Sequence, residues 1–455
     1  MLALRRRGWG MRLGLGAVTG IVWSLGLVGF WLYPAVEEHL ATGPLAAAAL
    51  TIAAAWTYGG AYLAAFALVY GWLPSPRWLA APAVWVLLEQ VRIRALGGAP
   101  WGLLGHTQHG FLPLAQLAEL TGVEGLSFLV LMPAAALAER GTMRRTGLAV
   151  AAVLAVSASG FGALRLRAFP PGQAPGATPR VAVISGHNLA GDPLAAYLEA
   201  TASAPASALT VWPEAAVPTY LAEDPVARER VARAARARGW LLVGAPRHSG
   251  RGDAQRYFNS ALLFDPEGRL VAAYDKQRLV PFAERSPLPA LGIVARPFSP
   301  GTTDAPLATD RLRVGPLICW EAVFPDLARR YARQGVDVLV NLTSDRDLGA
   351  GAEQQLAFSR FRTIETRRWL VRASGTGPTL LVDPAGRIRR DETLRLPSGV
   401  SAGTTFYVRY GETMTWLAAT LLGVLSGAPR TIRPPRVRTR RRGRTASRPD
   451  GPFTR

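Results

Sequence analysis

Between Leu13 and Val36 the chain carries no Asp, Glu, Lys or Arg. No other feature constrains it more, because a run of that length is enough for one helix across ~30 Å of hydrocarbon. A second charge-free stretch lies between Glu38 and Arg77 and accommodates a span near Pro44–Trp72. A third candidate, Trp78–Leu96, is interrupted by Glu89, Arg92 and Arg94. Phe111–Ala138 holds Glu119 and Glu124 and reads as helix over Val123–Ala138. Thr146–Leu164 is again uncharged, and Thr413–Pro429 supplies a short last candidate. About six spans are expected, with their few charges turned into the bundle, since a charge facing lipid costs several kcal/mol.

The flanks assign an orientation. Arg5, Arg6, Arg7 and Arg12 precede the first run, Arg77 follows the second, and Arg140, Arg144 and Arg145 precede the fifth. Basic short loops mark the cytoplasmic side, so both termini are expected there and the segment after the fifth span outside. The first run is too long for a cleaved signal peptide, and no convincing A-x-A cleavage site follows it. The formal charge of +21 owes much to residues 430–455, where ten arginines face Asp450 alone. Such a juxtamembrane tail is expected on anionic lipid headgroups rather than on nucleic acid.

After the turn-rich linker Phe169–Pro179 the pattern changes. Short β-branched runs appear at Val181–Ser185, Leu209–Trp212, Trp240–Gly244, Asn259–Asp265, Leu270–Tyr274, Leu312–Ile318, Val336–Leu342, Trp369–Ala373 and Thr379–Val382. Amphipathic helical stretches intervene near Pro193–Ser203, Pro225–Arg238, Asp326–Gln334 and Glu353–Arg367. Alternation of this kind predicts an α/β layered domain. The expected organisation is a helical transmembrane bundle over 1–167, a linker over 168–179, a catalytic domain over 180–411, a last span over 412–429 and a basic tail over 430–455.

Three polar residues end three of these strands, where open α/β sheets build their sites. Glu214 closes Leu209–Glu214. Lys276, the only lysine beside 51 arginines, closes Val271–Lys276. Cys319, the only cysteine, closes Val314–Cys319. A carboxylate, an ammonium and a thiol together make a covalent acyl-transfer site. The thiol attacks, the carboxylate takes its proton, and the ammonium with the N–H of Trp320 supports the oxyanion. His106 and His109 lack a third ligand and His187 and His248 stand alone, so neither a metal nor a cofactor is expected. The sequon Asn341-Leu342-Thr343 lies in an expected buried strand and is set aside.

At these residues the sequence resembles the apolipoprotein N-acyltransferases, membrane members of the nitrilase superfamily. The resemblance rests on Trp212-Pro-Glu-Ala-Ala-Val-Pro218, on Tyr274–Glu284, on Leu317-Ile-Cys-Trp-Glu321 and on Arg362-Thr-Ile-Glu365, Asp383–Arg387 and Arg409-Tyr-Gly411. In the membrane half, Gly98–Gln108 and Thr121–Gly125 carry it. It implies an α-β-β-α sandwich for the outer domain, on the periplasmic side of a bacterial inner membrane. It also implies a ping-pong reaction: Cys319 takes a fatty acyl chain from a phospholipid, and the amine of a diacylglyceryl-cysteine apolipoprotein then accepts it. Glu284 and Glu321 match positions beside the triad, Glu284 ordering Lys276.

The chain departs from the family in places. The match begins around Gly10, where the family has two further spans before it. An Asn-Asp-x-Trp-Phe-Gly run reads Ser344-Asp-Arg-Asp-Leu-Gly349, an Asn-Asn-Gly reads Gly375-Thr-Gly377, and a Gln-Gly reads Ser185-Gly186. These departures leave the triad intact and bear on specificity. Two other functions fit the residues: a membrane-tethered amidase in which water replaces the amine, and a lapsed homologue that only binds.

Overall fold

A computed structural model describes residues 1–4, 7–40, 43–169, 179–186, 191–281, 283–285, 297–390, 393–395 and 404–427. Most of the linker, His187 and the arginine tail lie outside the described residues.

Four helices are long and apolar enough to cross a membrane: Trp9–Glu38, Pro44–Tyr70, Ala118–Leu137 and Gly141–Ala168. Arg77–Arg94 and Thr413–Gly427 occupy the expected third and sixth positions but do not meet that standard, so among the described residues four of the six expected spans are met. Arg77–Arg94 is diluted by Glu89, Gln90, Arg92 and Arg94, and Thr413–Gly427 is only 15 residues long within the described residues. Glu89, Arg92, Glu119 and Glu124 are buried, as the cost of lipid-facing charge requires. Arg94 is instead exposed and pairs with Glu412.

Small residues set how the first two helices meet. Gly16, Gly20 and Ser24 are buried on the first. A Cβ on Gly20 would lie 2.4 Å from the Gly60 carbonyl oxygen, and one on Gly16 would lie 2.6 Å from the Ala67 methyl. This is the close backbone approach that a G-x-x-x-G spacing permits between helices in lipid. Replacing Gly20 by Leu is therefore expected to separate the pair and to lower the melting temperature in detergent by several degrees; Ala at the unconfined Gly26 is the control. A melting temperature unchanged in the Leu variant would remove this seam from the account.

The α/β domain contains two six-stranded mixed sheets. The first joins β1 (Arg180–Val183), β2 (Leu209–Val211), β3 (Leu241–Ser249), β4 (Arg256–Phe264), β5 (Leu270–Asp275) and β12 (Thr393–Arg395) in the order β12-β1-β2-β3-β4-β5. The second joins β6 (Leu307–Ala308), β7 (Arg313–Ile318), β8 (Val338–Thr343), β9 (Trp369–Ser374), β10 (Leu380–Val382) and β11 (Ile388–Arg389) in the order β11-β10-β9-β8-β7-β6. Parallel pairing runs through β1, β2 and β3 and through β7, β8 and β9, as βαβ crossovers dictate. The inner faces share one apolar core that includes Val183, Val211 and Leu263 from the first sheet and Val314, Leu317 and Val340 from the second.

Helices close both outer faces. Pro193–Ser203 and Pro225–Arg238 begin with a proline after a capping aspartate: Asp192 accepts from the Leu194 N–H at 3.2 Å and Asp224 from the Ala227 N–H at 2.8 Å. They cover the first sheet through Leu194, Tyr197, Val231 and Ala235. The second sheet is covered by Pro325–Arg333 and Gly351–Thr366. Gly351–Thr366 also sends Phe361 and Ile364 into the core of the membrane bundle. The result is an α-β-β-α sandwich whose second helical layer rests on the bundle.

Polar links fix that contact. Gln354 Oε1 accepts from the indoles of Trp31 at 3.2 Å and Trp101 at 3.0 Å, while its amide donates to the Leu27 carbonyl at 3.0 Å. Arg367, also buried, donates to Gln116, Glu119 and the Pro384 carbonyl, and Glu119 takes two further bonds from Arg165. The sandwich is thereby held against the membrane helices at two separate points.

Candidate active site

Glu214, Lys276 and Cys319 come from three different segments and meet at one end of the two sheets. Lys276 follows β5 directly and Cys319 follows β7 directly. Glu214 does not end its strand as the sequence reading had it: β2 stops at Val211, and Glu214 lies in the turn beyond Pro213.

The Lys276 ammonium is buried, 3.2 Å from Glu214 Oε1 and 2.9 Å from Glu284 Oε1. Asn259, on β4, donates one amide to both carboxylates, at 2.7 Å to Glu214 and 2.9 Å to Glu284. The second Glu214 oxygen accepts from the Ser344 N–H at 3.0 Å. Burial alone would favour the neutral amine, but the charges of Glu214 and Glu284 prevail and hold the Lys276 pKa well above its ordinary value. Burial, and then the charge of Glu214, push the Cys319 thiol pKa up, against the opposing pull of Lys276. At neutral pH the site thus holds a thiol and an ammonium, and the sulfur becomes a nucleophile only as its proton leaves.

Cys319 has a positive φ of 55° at a sharp turn from β7 into the 3-10 segment Cys319–Val323. A non-glycine residue persists there only when its neighbours enforce it. Asn341 does so from β8, donating to the Leu317 and Cys319 carbonyls at 3.1 and 3.0 Å. Glu321 does so from the other side. It accepts from the N–H groups of Gln277, Arg278 and Ile318 at 2.7–3.0 Å and from the Tyr274 hydroxyl at 3.0 Å. Burial raises its pKa to about 7, against the lowering effect of those backbone donors and Lys276. This carboxyl ties the segment after Lys276 to the strand that carries Cys319. The Trp320 indole reinforces the tie by donating to the Arg278 carbonyl at 2.6 Å.

Sequence reasoning missed Asn259, Asn341 and Gln355. The Gln355 amide points at the Cys319 sulfur from 3.9 Å, and its oxygen accepts from Arg372, which is in turn paired with Asp345 at 2.8 Å. Nothing in the local pattern separates these amides from ordinary polar residues of a strand or helix. The family departures converge here too. Asp345 and Ser344 serve the site through the contacts just described, and a Cβ on Gly186 would lie 2.6 Å from the Gly375 carbonyl oxygen.

The thiol faces an open cavity between the sandwich and the membrane helices. Leu27, Trp31, Tyr58, Trp101, Val280 and Leu348 are among the residues that line it. The first two membrane helices each loosen into a π turn along this wall, at Leu25–Gly29 and Trp56–Gly60. Single π turns recur at functional sites.

Similarity to known proteins agrees with this geometry. The apolipoprotein N-acyltransferase N-terminal domain matches residues 1–136, reaching residue 1 rather than starting near Gly10, and the carbon-nitrogen hydrolase domain matches residues 191–395. A protein of Geobacter metallireducens named apolipoprotein N-acyltransferase is 36% identical over 74% of this chain and 71% of its own length. The chain belongs to the apolipoprotein N-acyltransferase family. Apolipoprotein N-acyltransferases of Azotobacter vinelandii and Nitrosomonas europaea are 34% and 32% identical, covering 89% and 92% of this chain and 80% and 90% of their own. Among solved structures, an amidase of the nitrilase superfamily from Nesterenkonia aligns with 51% of this chain and 94% of its own at 21% identity and a TM-score of 0.39, too slight a likeness to argue from. As a member of the apolipoprotein N-acyltransferase family, the protein is an acyltransferase of the membrane.

Proposed function

We propose that the protein transfers a fatty acyl chain from a phospholipid to the N-terminal amine of a diacylglyceryl-cysteine apolipoprotein, through a thioester on Cys319. The observation that carries this reading is the cavity. A triad for small amides needs room for a small amide, whereas here the thiol opens onto an apolar space walled by two membrane helices.

In the first half-reaction Glu214 accepts the thiol proton as sulfur bonds to the ester carbonyl carbon. Lys276 and the Trp320 N–H support the oxyanion. The ester C–O bond breaks, and the proton held on Glu214 passes to the departing lysophospholipid oxygen. In the second, the acceptor amine attacks the thioester, Glu214 takes its proton, the C–S bond breaks, and that proton returns to sulfur. Glu284 holds Lys276 in place throughout. The basic flanks favour six spans, with the catalytic domain of residues 180–411 on the periplasmic face and both termini in the cytoplasm. Both lipid substrates then reach Cys319 from the outer leaflet.

The test exploits the single cysteine. Detergent-purified protein is incubated with phosphatidylethanolamine, and its intact mass is taken before and after neutral hydroxylamine. An added acyl mass that hydroxylamine removes, and that a diacylglyceryl-cysteine peptide discharges as the N-acyl product, is expected. An unmodified mass in folded protein sinks the phospholipid step. An acyl group lost to water equally fast with or without the peptide leaves a hydrolase.

A further inference from the structure

Among the described residues that line the cavity, Arg92 alone carries a formal charge, in walls that are otherwise apolar or neutral. It sits near the end of Arg77–Arg94 and is only 3% exposed. Its Nη2 donates to the Trp101 carbonyl at 3.2 Å, and its guanidinium lies 5.7 Å from the Trp23 ring centroid, within cation–π reach. Its Nε is buried without a hydrogen-bond partner. A guanidinium has five N–H donors, and burying one with so few acceptors is costly.

Glu89 is the neighbouring carboxylate, one helical turn earlier. Its Oε1 accepts from the Leu104 N–H at 2.7 Å and from the Trp85 indole at 2.9 Å, and its Oε2 is buried with no hydrogen-bond partner, Arg92 included. It gives Arg92 a charge at a distance, while the Nε donor of Arg92 stays unpaired.

We infer that Arg92 forms an anion subsite that binds the phosphodiester of the acyl-donor lipid. This rests on the phospholipid-to-thioester reading above. A glycerophospholipid has its anion across the glycerol backbone from the ester that Cys319 attacks, so one molecule in this cavity can offer the ester to sulfur and the phosphate to the guanidinium. Arginine matches a phosphate oxygen pair with two parallel N–H bonds, and does so best where water is excluded. The diacylglyceryl-cysteine acceptor carries no phosphate. Arg92 therefore selects for the first substrate and leaves its subsite free in the second half-reaction, which gives a two-substrate site a means of ordering them.

The test compares donors on the full-length protein, reading Cys319 acylation by intact mass. The donors are phosphatidylethanolamine, the same lipid with its phosphodiester methylated to a neutral triester, and p-nitrophenyl palmitate, which has no phosphate. With the unaltered protein, the triester is expected to acylate at least about tenfold more slowly than the diester, the range lost with one charge-assisted contact. With Arg92→Gln, the ratio of the phosphatidylethanolamine rate to the nitrophenyl-ester rate is expected to fall by a similar factor, carried by KM. Inorganic phosphate at tens of millimolar is expected to leave the diester rate unchanged, whereas competition by it would replace a lipid phosphate with a free anion and overturn the assignment. Equal rates for diester and triester overturn it as well, and that comparison needs no variant to fold. An equal loss on both donors in Arg92→Gln makes the residue structural. Failure of the unaltered protein to acylate from phosphatidylethanolamine, while p-nitrophenyl palmitate still loads Cys319, defeats the phospholipid reading itself.

Discussion

Glu214→Gln is expected to move two reactivities of the same sulfur in opposite directions. Acyl-enzyme formation from phospholipid should fall at least about 100-fold, the usual cost of losing a positioned general base. Alkylation of Cys319 by iodoacetamide at pH 8 should become faster. The sign follows from the electrostatics: the charge of Glu214 is among the causes that push the thiol pKa up, while Lys276 pulls it down. Neutralising Glu214 removes the first influence and leaves the second, so more thiolate exists at a given pH even though no base remains to take the proton during attack on an ester. Asn259 and Ser344 N–H both donate to this side chain, and a glutamine keeps its oxygen as an acceptor for one of them. Parallel loss of both reactivities would mean that Glu214 matters for the shape of the site and not for its proton.

Lys276→Met carries the second large effect and reaches stability as well as rate. The ammonium sits between Glu214 and Glu284 with its side chain 1% exposed, and Asn259 bridges the same two oxygens. Without the cation, two carboxylates face each other across a single amide. Removing one partner of a buried ion pair costs roughly 3–5 kcal/mol because the remaining charge is left uncompensated. Loss of the oxyanion contact should cost a further 10²–10³ or so in acylation rate. The double variant Lys276→Met with Glu284→Gln separates the two. It should recover much of the melting temperature and none of the rate. Recovery of both would assign Lys276 a structural part alone.

How far the sequence reached depended on whether a feature was local. Charge-free runs announced the long membrane helices, because length and apolarity belong to each segment alone. Amphipathic patterning announced the helices Pro193–Ser203 and Pro225–Arg238, again a property of each segment alone. The short edge strands β6, β11 and β12 went unseen, since two or three residues carry no period and exist only because a neighbouring strand offers a ladder. The site divides in the same way. Cys319 and Lys276 stood out by scarcity, and Glu284 and Glu321 through the family motifs. Asn259 and Gln355 became visible only when distant segments met. Asn341 is instructive: the sequon it begins was rightly set aside as buried, yet that buried amide is what holds the Cys319 carbonyl.

The seam between the first two membrane helices has a consequence for how the protein can change. The cavity walls on these helices are Trp23–Leu32 and Ala54–Gly59, and the Gly20–Gly60 contact begins where those walls stop. A Cβ has no room at either glycine, so the wall ends there in main chain. Larger residues along the walls can only narrow the cavity. No single replacement at the seam can widen it, because a glycine has nothing left to trim; that would require the helices themselves to move apart.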